Sequence, residues 1–249
     1  MWKLYATFRF MKNLPKPFGR SPFAVTLLEP EPQDRILNVG CFNGALEYYY
    51  LQGKVEDFQG IDVNEEAIRL ARDWCSRALG SPDHFKVAGA EEIPYPDESF
   101  DKVLCLDVFE HVNDEKKTVS EIYRILKPGG VLVLSVPHDF LNFLDPDELT
   151  RGFRNFVRRY IRPRPLLDHP RHRHYSEDDL KAFFSKFKFE VVHKSGTPLF
   201  WILAMIYGGI GLPAQVVQPL SKMTAFLENW DYQTSLKTGF NIMIKMRKI

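Results

Sequence analysis

Several absences narrow what this chain of 249 residues can be. Its three cysteines are widely separated and odd in number, which offers neither a disulfide framework nor a metal knuckle and suits a reducing cytosol. The formal net charge is only +1, whereas a general nucleic-acid binder is expected to be basic over a broad face. No apolar run near the start is long enough for a signal peptide, so we expect a cytoplasmic protein.

The charged residues are unevenly distributed along the chain. Residues 1–20 contain no acid, and no charged residue lies between Lys194 and Lys222. Residues 151–175 hold eight arginines against one aspartate, a net of +7, so the rest of the chain carries −6. The uncharged stretch is too short and too broken by proline to span a membrane, which takes about 20 apolar residues. The arginine-rich residues 151–175 instead predict a local anion site. The uncharged residues between Lys194 and Lys222 predict an apolar contact surface.

What the chain does have is an alternation of β-branched apolar runs with helical patterns, which predicts one α/β domain with a parallel sheet and helices on both faces. The first five strands are expected at Arg35–Gly40, Phe58–Val63, Phe85–Ala90, Lys102–Val108 and Val131–Pro137. The helices between them are expected at Ala45–Gln52, Glu65–Leu79 and Asp114–Leu126.

The alternation of helices and strands is interrupted after His138 and resumes at Ser176, with one more helix and two more strands. Ser176 is a good N-cap for a helix to about Phe187, and Phe189–His193 reads as a strand. In the last strand, Phe240–Arg247, apolar and polar residues alternate, which predicts one better-covered face. Residues 139–175 and 195–238 are therefore predicted as a basic and an apolar insertion, and residues 1–30 as a helical cap over the cleft.

A glycine turn follows the first strand, in the stretch Ile36–Gly44. Glycines at a strand-to-helix turn let backbone N–H groups approach a ligand, and Asp62, which ends the next strand, is placed to hold ribose hydroxyls. A dinucleotide turn needs glycine at its first, third and sixth positions, but the third and sixth are Phe42 and Ala45. The spacing therefore opposes a nicotinamide oxidoreductase.

The turn resembles motif I of the class I S-adenosylmethionine (SAM) dependent methyltransferases of the type 11 group. Gly60–Asn64 resembles motif II, and the segments Ala88–Asp101, Leu106–Val112 and Ile122–Gly130 are similar to later family segments. The resemblance implies a Rossmann-like, doubly wound sheet of seven strands, mostly parallel, with an antiparallel last strand inserted between the two before it. It implies SAM as cofactor, bound by Asn38, Gly40, Cys41, Phe42, Gly44, Asp62, Val63, Ala90, Glu91, Leu106 and Asp107.

Three positions depart from the family pattern. Asn38 stands where an acid usually precedes the glycines, Phe42 replaces the middle glycine, and Gly89 replaces an aspartate beside adenine. Asn38 leaves no charge to meet a cationic cofactor. These departures favour the alternative of a methyltransferase-like module that binds without catalysis.

Methyl transfer to a hydroxyl needs a base for the acceptor proton. We predict His138, expected to be exposed at the end of the fifth strand, or His111 in this role, with His172 and His174 as further candidates. Asp107, Glu110 and His111 resemble a cation-binding cluster of the ubiquinone-type O-methyltransferases, but three ligands on one turn lack a fourth, so no metal is assigned.

The sequence thus predicts an O-methyltransferase for a small, amphipathic acceptor that is lipid-linked or phosphorylated, with N- or C-methylation as the alternative. The arginine run is interpreted equally as a lid that grips phosphate, as a surface peripheral to the inner face of a membrane, or as a solvated face. Four interpretations of the uncharged stretch stay open: an interfacial hairpin, a substrate tunnel, a subunit contact or additional core. The acceptor and the oligomeric state are left open.

The membrane interpretation makes a direct prediction. Binding to vesicles should rise with anionic lipid content and fall with salt, because salt screens the arginines. Replacement of Arg154, Arg158 and Arg162 by glutamate should abolish binding, as measured by vesicle co-sedimentation, while the circular dichroism spectrum is kept. If the wild type ignores anionic vesicles at low salt, the membrane interpretation is wrong.

Overall fold

The computed structural model describes residues 20–79, 83–139, 173–195, 230, 232, 239 and 241–249. Seven strands are present in these ranges: β1 (Arg35–Val39), β2 (Asp57–Asp62), β3 (Phe85–Val87), β4 (Phe100–Leu106), β5 (Leu126–Pro137), β6 (Phe187–Ser195) and β7 (Asn241–Lys248). Four α-helices accompany them: α1 (Arg20–Leu28), α2 (Glu65–Leu79), α3 (Glu115–Ile125) and α4 (Glu177–Phe183). A short π-helix covers Glu47–Leu51, and a 3₁₀ turn covers Phe109–His111.

The seven strands form one sheet in the order β3-β2-β1-β4-β5-β7-β6. The pairs among β1 to β5 are parallel, and β7 runs antiparallel to both of its neighbours, β5 and β6. The predicted Rossmann-like sheet with an antiparallel last strand inserted between the previous two is therefore confirmed. Because β1 to β5 run in the same direction, their carboxyl ends meet along one edge of the sheet.

Apolar residues cover both faces of this sheet. On one face, Leu37 of β1 packs in a cluster with Ile122 of α3 and Leu180 of α4. On the other face, Ile36 belongs to a second cluster with Leu28 of α1 and Ile68 of α2. Neighbouring residues of a strand point to opposite faces, so β1 reads as a continuous apolar run, which is typical of a central strand in a doubly wound sheet.

The predicted helix boundaries are close to those observed, with one correction. The Asp114 side chain accepts from the Lys117 N–H at 2.9 Å and begins α3. Ser176 and Asp179 form a reciprocal capping box that begins α4. However, α4 ends at Phe183 rather than near Phe187, because β6 already begins at Phe187 and pairs with the end of β7.

The last strand differs from the prediction of one better-covered face. Residues 241–246 are all buried. The reason is that β7 lies inside the sheet, between β5 and β6, rather than at its edge. Two buried lysines of β7 have partners: the Lys245 Nζ lies 2.6 Å from the Glu29 Oε2, and the Lys248 Nζ donates to the Leu126 carbonyl at 2.7 Å.

Most of the predicted insertions and cap lies outside the described residues, but their ends lie within. His138 and Tyr175 form an isolated parallel bridge, so the two ends of the basic insertion meet. Ser195 and Asn241 are paired in the sheet, so the apolar insertion also begins and ends in one place. Of the predicted cap, α1 is described and packs against the core. No helix in the described ranges is long and apolar enough to cross a membrane.

The side chain of Arg124 makes a group of hydrogen bonds in the part of the fold that leads to the cleft. Its guanidinium donates five hydrogen bonds of 2.8–3.0 Å. Two of them reach the Ile93 and Tyr95 carbonyls, and the others reach the carboxylates of Asp97 and Glu121. The Glu121 carboxylate accepts in turn from the Ile93 N–H. Helix α3 is thereby bonded to the segment between β3 and β4.

Arg124→Ala should therefore lower the free energy of unfolding by about 2–3 kcal/mol, because two backbone carbonyls and a half-buried carboxylate lose their donor. The matched control is Arg69→Ala, which removes an exposed arginine paired with Glu66 on the surface of α2 and should cost about 0.5 kcal/mol. Urea unfolding followed by circular dichroism measures both. Equal losses in the two variants would contradict the structural role of Arg124.

Candidate functional site

The glycine turn at the end of β1 is tied to the neighbouring strand by backbone bonds. The N–H groups of Gly40 and Cys41 both donate to the Ile61 carbonyl, at 2.7 and 3.0 Å. Gly40 and Gly44 have left-handed φ angles of 78° and 74°. A Cβ on Gly40 would lie 2.1 Å from the Val108 side chain, which follows β4. The turn is thus packed tightly between the ends of β2 and β4, and a side chain at Gly40 has no room.

Phe42, at the position of the family's middle glycine, also has a left-handed φ, of 52°. The turn therefore keeps the backbone conformation that glycine adopts freely, at a cost of roughly 1–2 kcal/mol for an L-residue. The departure at this position changes the side chain and leaves the path of the turn intact.

Asp62 holds this turn from the end of β2. Its Oδ2 accepts from the Phe42 N–H at 2.9 Å, and its Oδ1 accepts from the Asn64 N–H at 2.8 Å. Asn64 in turn caps α2 by accepting from the Ala67 N–H at 3.0 Å. A carboxylate oxygen accepts more than one hydrogen bond. Asp62 is therefore able to accept ribose hydroxyls while it keeps both backbone bonds.

Beside Asp62, the Val63 side chain is 73% exposed. A Cβ on Gly89 would lie 3.7 Å from a Val63 methyl group, so the two positions are neighbours at this end of the sheet. Ala90 is buried next to Gly89. The exposed apolar side chain and the bare backbone beside it offer a surface on which a flat aromatic ring such as adenine fits.

Glu91 has a structural task that the sequence did not indicate. Its Oε1 accepts from the N–H groups of Asn113 and Asp114, at 2.6 and 3.0 Å. The adenine-side segment is thus bonded to the start of α3. Glu91 is adjacent to the predicted adenine position. Its bonds to α3 hold this segment in place.

Leu106 and Asp107 are predicted to lie near the cofactor. Leu106 ends β4 and Asp107 follows it, so both lie at the edge of the sheet where the parallel strands end. Asp107 has a left-handed φ of 52°, and its Oδ1 accepts from the Ser135 hydroxyl at 2.7 Å. Its Oδ2 pairs with the Arg20 guanidinium at the start of α1. The first described helix therefore begins at the cleft, a contact that the sequence analysis missed because 87 positions separate the two residues in the chain.

His138 lies at the end of β5 as predicted, but it is buried rather than exposed, with 6% of its surface accessible. The reason is that both insertions begin and end around it. Its backbone bridges to Tyr175, and its Nδ1 lies 2.8 Å from the Gly239 carbonyl. A carbonyl only accepts, so Nδ1 carries the hydrogen and the lone pair of the neutral ring is on Nε2. The Nε2 lies 3.5 Å from the Asp139 carboxylate.

His111 lies on the 3₁₀ turn after β4, and its side chain is one-third exposed. Its Nε2 is 3.8 Å from the Oε1 of Glu110, whose carboxyl is buried; that burial raises the pKa of Glu110 to about 7. His174 is described and half-buried, whereas His172 lies outside the described residues. In the described ranges, no group of three histidine, cysteine, aspartate or glutamate side chains is arranged to share a metal ion.

The sequence analysis did not single out Glu47. The Asn38 Nδ2 donates to the Glu47 Oε1 at 2.7 Å, and both residues are buried. The Oε2 of Glu47 has no hydrogen-bond partner among the described residues. Burial raises the pKa of Glu47 to about 7. The available signal was an acid within an otherwise apolar and aromatic predicted helix, which periodicity alone would have assigned to the surface.

Comparison with known proteins agrees with this geometry. Residues 37–134 match the family model described as "Methyltransferase domain". The chain is 35% identical over 109 residues to the 27-O-demethylrifamycin SV methyltransferase of Amycolatopsis mediterranei, a match over 43% of this chain and 39% of that protein. Matches cover 22–49% of the first four curated relatives, so the chain aligns with less than half the length of each.

Two solved structures show the same fold. The YcgJ protein of Bacillus subtilis superimposes with a TM-score of 0.58 at 20% identity, covering 92% of this chain and 97% of that chain. The cyclase SpnF superimposes with a TM-score of 0.64 at 16% identity, covering 99% and 92%. At such identities the likeness concerns the fold alone.

The sheet, the glycine turn, Asp62 and the match over residues 37–134 agree with a class I SAM-dependent methyltransferase domain. Over those residues the chain is similar to this family, whose methyl donor is S-adenosyl-L-methionine. Curated relatives include O-, N- and C-methyltransferases, so the likeness leaves the acceptor atom open. The exposed Val63, the bare Gly89 and the open lone pairs of Asp62 fit this cofactor.

Asp62→Ala should weaken SAM binding by about 1.5–3 kcal/mol, because the ribose loses a charged acceptor and the turn loses its bond to Asp62. Asp57→Ala is the matched control: it removes the same side chain from the other end of β2, where Asp57 pairs with Arg35 on the surface. Isothermal titration calorimetry measures both affinities. Undiminished binding by the Asp62 variant would show that the cofactor does not use this carboxylate.

Proposed function

We propose that this protein transfers the methyl group of SAM to a hydroxyl of a small, amphipathic and anionic acceptor. The single observation that carries the hydroxyl assignment is the bond between the His138 Nδ1 and the Gly239 carbonyl. It leaves Nε2 as the basic nitrogen at the end of β5, and a hydroxyl acceptor needs a positioned base to take its proton.

When bound, SAM would supply a methyl group for in-line displacement, in which the acceptor oxygen bonds to the methyl carbon and the thioether S-adenosylhomocysteine leaves. The chain's own part is to hold the reactants and to take one proton. Gly40, Gly44 and Asp62 orient the cofactor, and the Nε2 of His138 accepts the hydroxyl proton. The Nδ1 bond keeps the ring in one tautomer during this transfer.

The character of the acceptor is inferred from what surrounds His138. The ends of both insertions meet at this residue, through Tyr175 and Gly239. In sequence, one insertion carries the arginine run of residues 151–173 and the other carries the uncharged residues 199–212. Loops beyond the carboxyl ends of the strands carry ligand sites in open α/β sheets. An acceptor with an anionic group and an apolar body fits this pair of segments.

His138→Gln should leave SAM affinity intact and lower turnover at neutral pH by roughly 10²–10⁴-fold, the usual contribution of a positioned base. Turnover is measured by transfer of labelled methyl groups from SAM to a panel of hydroxyl, amine and carbon acceptors. The matched control is His84→Gln, because the His84 Nδ1 also lies 2.9 Å from a carbonyl, that of Phe58, but at the other end of the sheet.

The panel separates the alternatives. Transfer to amines or carbon acids alone would overturn the hydroxyl assignment, and near-normal turnover by the His138 variant would assign the proton to another group such as His111. SAM binding without transfer to any acceptor class would favour a module that binds but does not catalyse.

A further inference from the structure

The described residues contain two buried glutamates that each have an oxygen without a partner, Glu47 and Glu110. Glu110 lies near Arg20, whose positive charge lowers the pKa of Glu110 against the larger effect of burial. Among the described residues, no cation acts on Glu47. Within these residues, the side chain that donates to Glu47 is the neutral amide of Asn38, and the charged group that acts on it is another acid, Asp62.

Glu47 closes the glycine turn at its base. The bond from Asn38 joins the residue two positions before Gly40 to the residue three positions after Gly44. Asp62 binds the same turn at Phe42. The turn is therefore held between two carboxyl groups, one from β2 and one from the π-helix that follows the turn.

The neighbours of Glu47 in the chain are apolar. Leu46 and Leu51 lie on its own segment, and both belong to a core cluster that also contains Ala24 and Leu28 of α1. Burying a carboxylate in such a place is costly unless a positive charge compensates it. The position where the family usually carries an acid is Asn38, and in this chain an acid lies one hydrogen bond away from that position.

We propose that Glu47 replaces the acid missing at Asn38 and supplies the negative charge for the ammonium at the amino-acid end of SAM, losing a proton as the cofactor binds. This inference rests on the proposed use of SAM and goes further, because it assigns the charge to a residue outside the motif. The free protein holds Glu47 partly protonated near neutral pH, since its pKa is about 7, and a bound cation favours the ionised form.

The sign of the pH dependence follows. If the cation stabilises ionised Glu47, affinity for SAM rises with pH up to about 7 and then levels off. Between pH 5.5 and 7 the α-amino group of the ligand stays protonated, because such groups titrate near 7.7–8.0. Binding should therefore release close to one proton at about pH 6 and roughly half a proton at about pH 7.

Isothermal titration calorimetry in buffers of different ionisation enthalpy measures both the affinity and the protons released. Wild type titrated with SAM should show the release described, and Glu47→Gln, which keeps the bond to Asn38, should show none between pH 5.5 and 7. The variant should also bind SAM about 10- to 100-fold more weakly at pH 7. The truncated ligand 5′-methylthioadenosine, which lacks the amino-acid end, should bind wild type and variant equally.

The exchanged variant Asn38→Asp with Glu47→Gln restores one acid and one amide in the opposite order, and it should recover most of the lost affinity. If that variant fails to fold, Glu47→Gln alone still decides the question. Failure of wild type to bind SAM would overturn the proposed function itself. SAM binding with equal proton release in wild type and Glu47→Gln, or equal weakening for the truncated ligand, would overturn only the role of Glu47.

Discussion

The carboxylate of Asp62 is the contact on which the rest of the site depends. One of its oxygens holds the glycine turn through the Phe42 N–H, and the other holds the start of α2 through the Asn64 N–H. Both bonds have a charged acceptor, the strong kind of hydrogen bond. The same carboxylate is the group that the family uses on the ribose. The carboxylate that we propose for the ribose therefore also holds the turn, so the shape of the turn does not depend on a ligand.

The departures from the family pattern do not dismantle this arrangement, because the structure compensates them locally. Phe42 adopts the left-handed backbone that a glycine would take. Gly89 leaves a bare backbone beside the exposed Val63. Asn38 loses the charge of an acid but is bonded to one nine residues later. The sequence motif does not show these features. Judged by the motif alone, the site would therefore lack more of the family's cofactor contacts than it does in the structure.

His138 shows how the fold gathers distant segments around one residue. Its backbone bridges to Tyr175 and its ring reaches the Gly239 carbonyl, 101 positions away. The bases of both insertions are therefore joined at the end of β5. A change at the base of either insertion is therefore close to His138, the proposed base.

The sequence by itself determined the sheet, because strand and helix periods, N-caps such as Ser176 and the glycine turn are local signals read over a few residues. It also placed Asp62, Gly40 and His138 at strand ends, since parallel strands align their carboxyl ends. Only the tertiary structure decided that β7 is covered on both faces, that His138 is buried, that Arg20 meets Asp107 and that Glu47 is bonded to Asn38. Burial and pairing depend on contacts between segments far apart in the chain or folded back across a turn, and no local pattern specifies which of these segments meet.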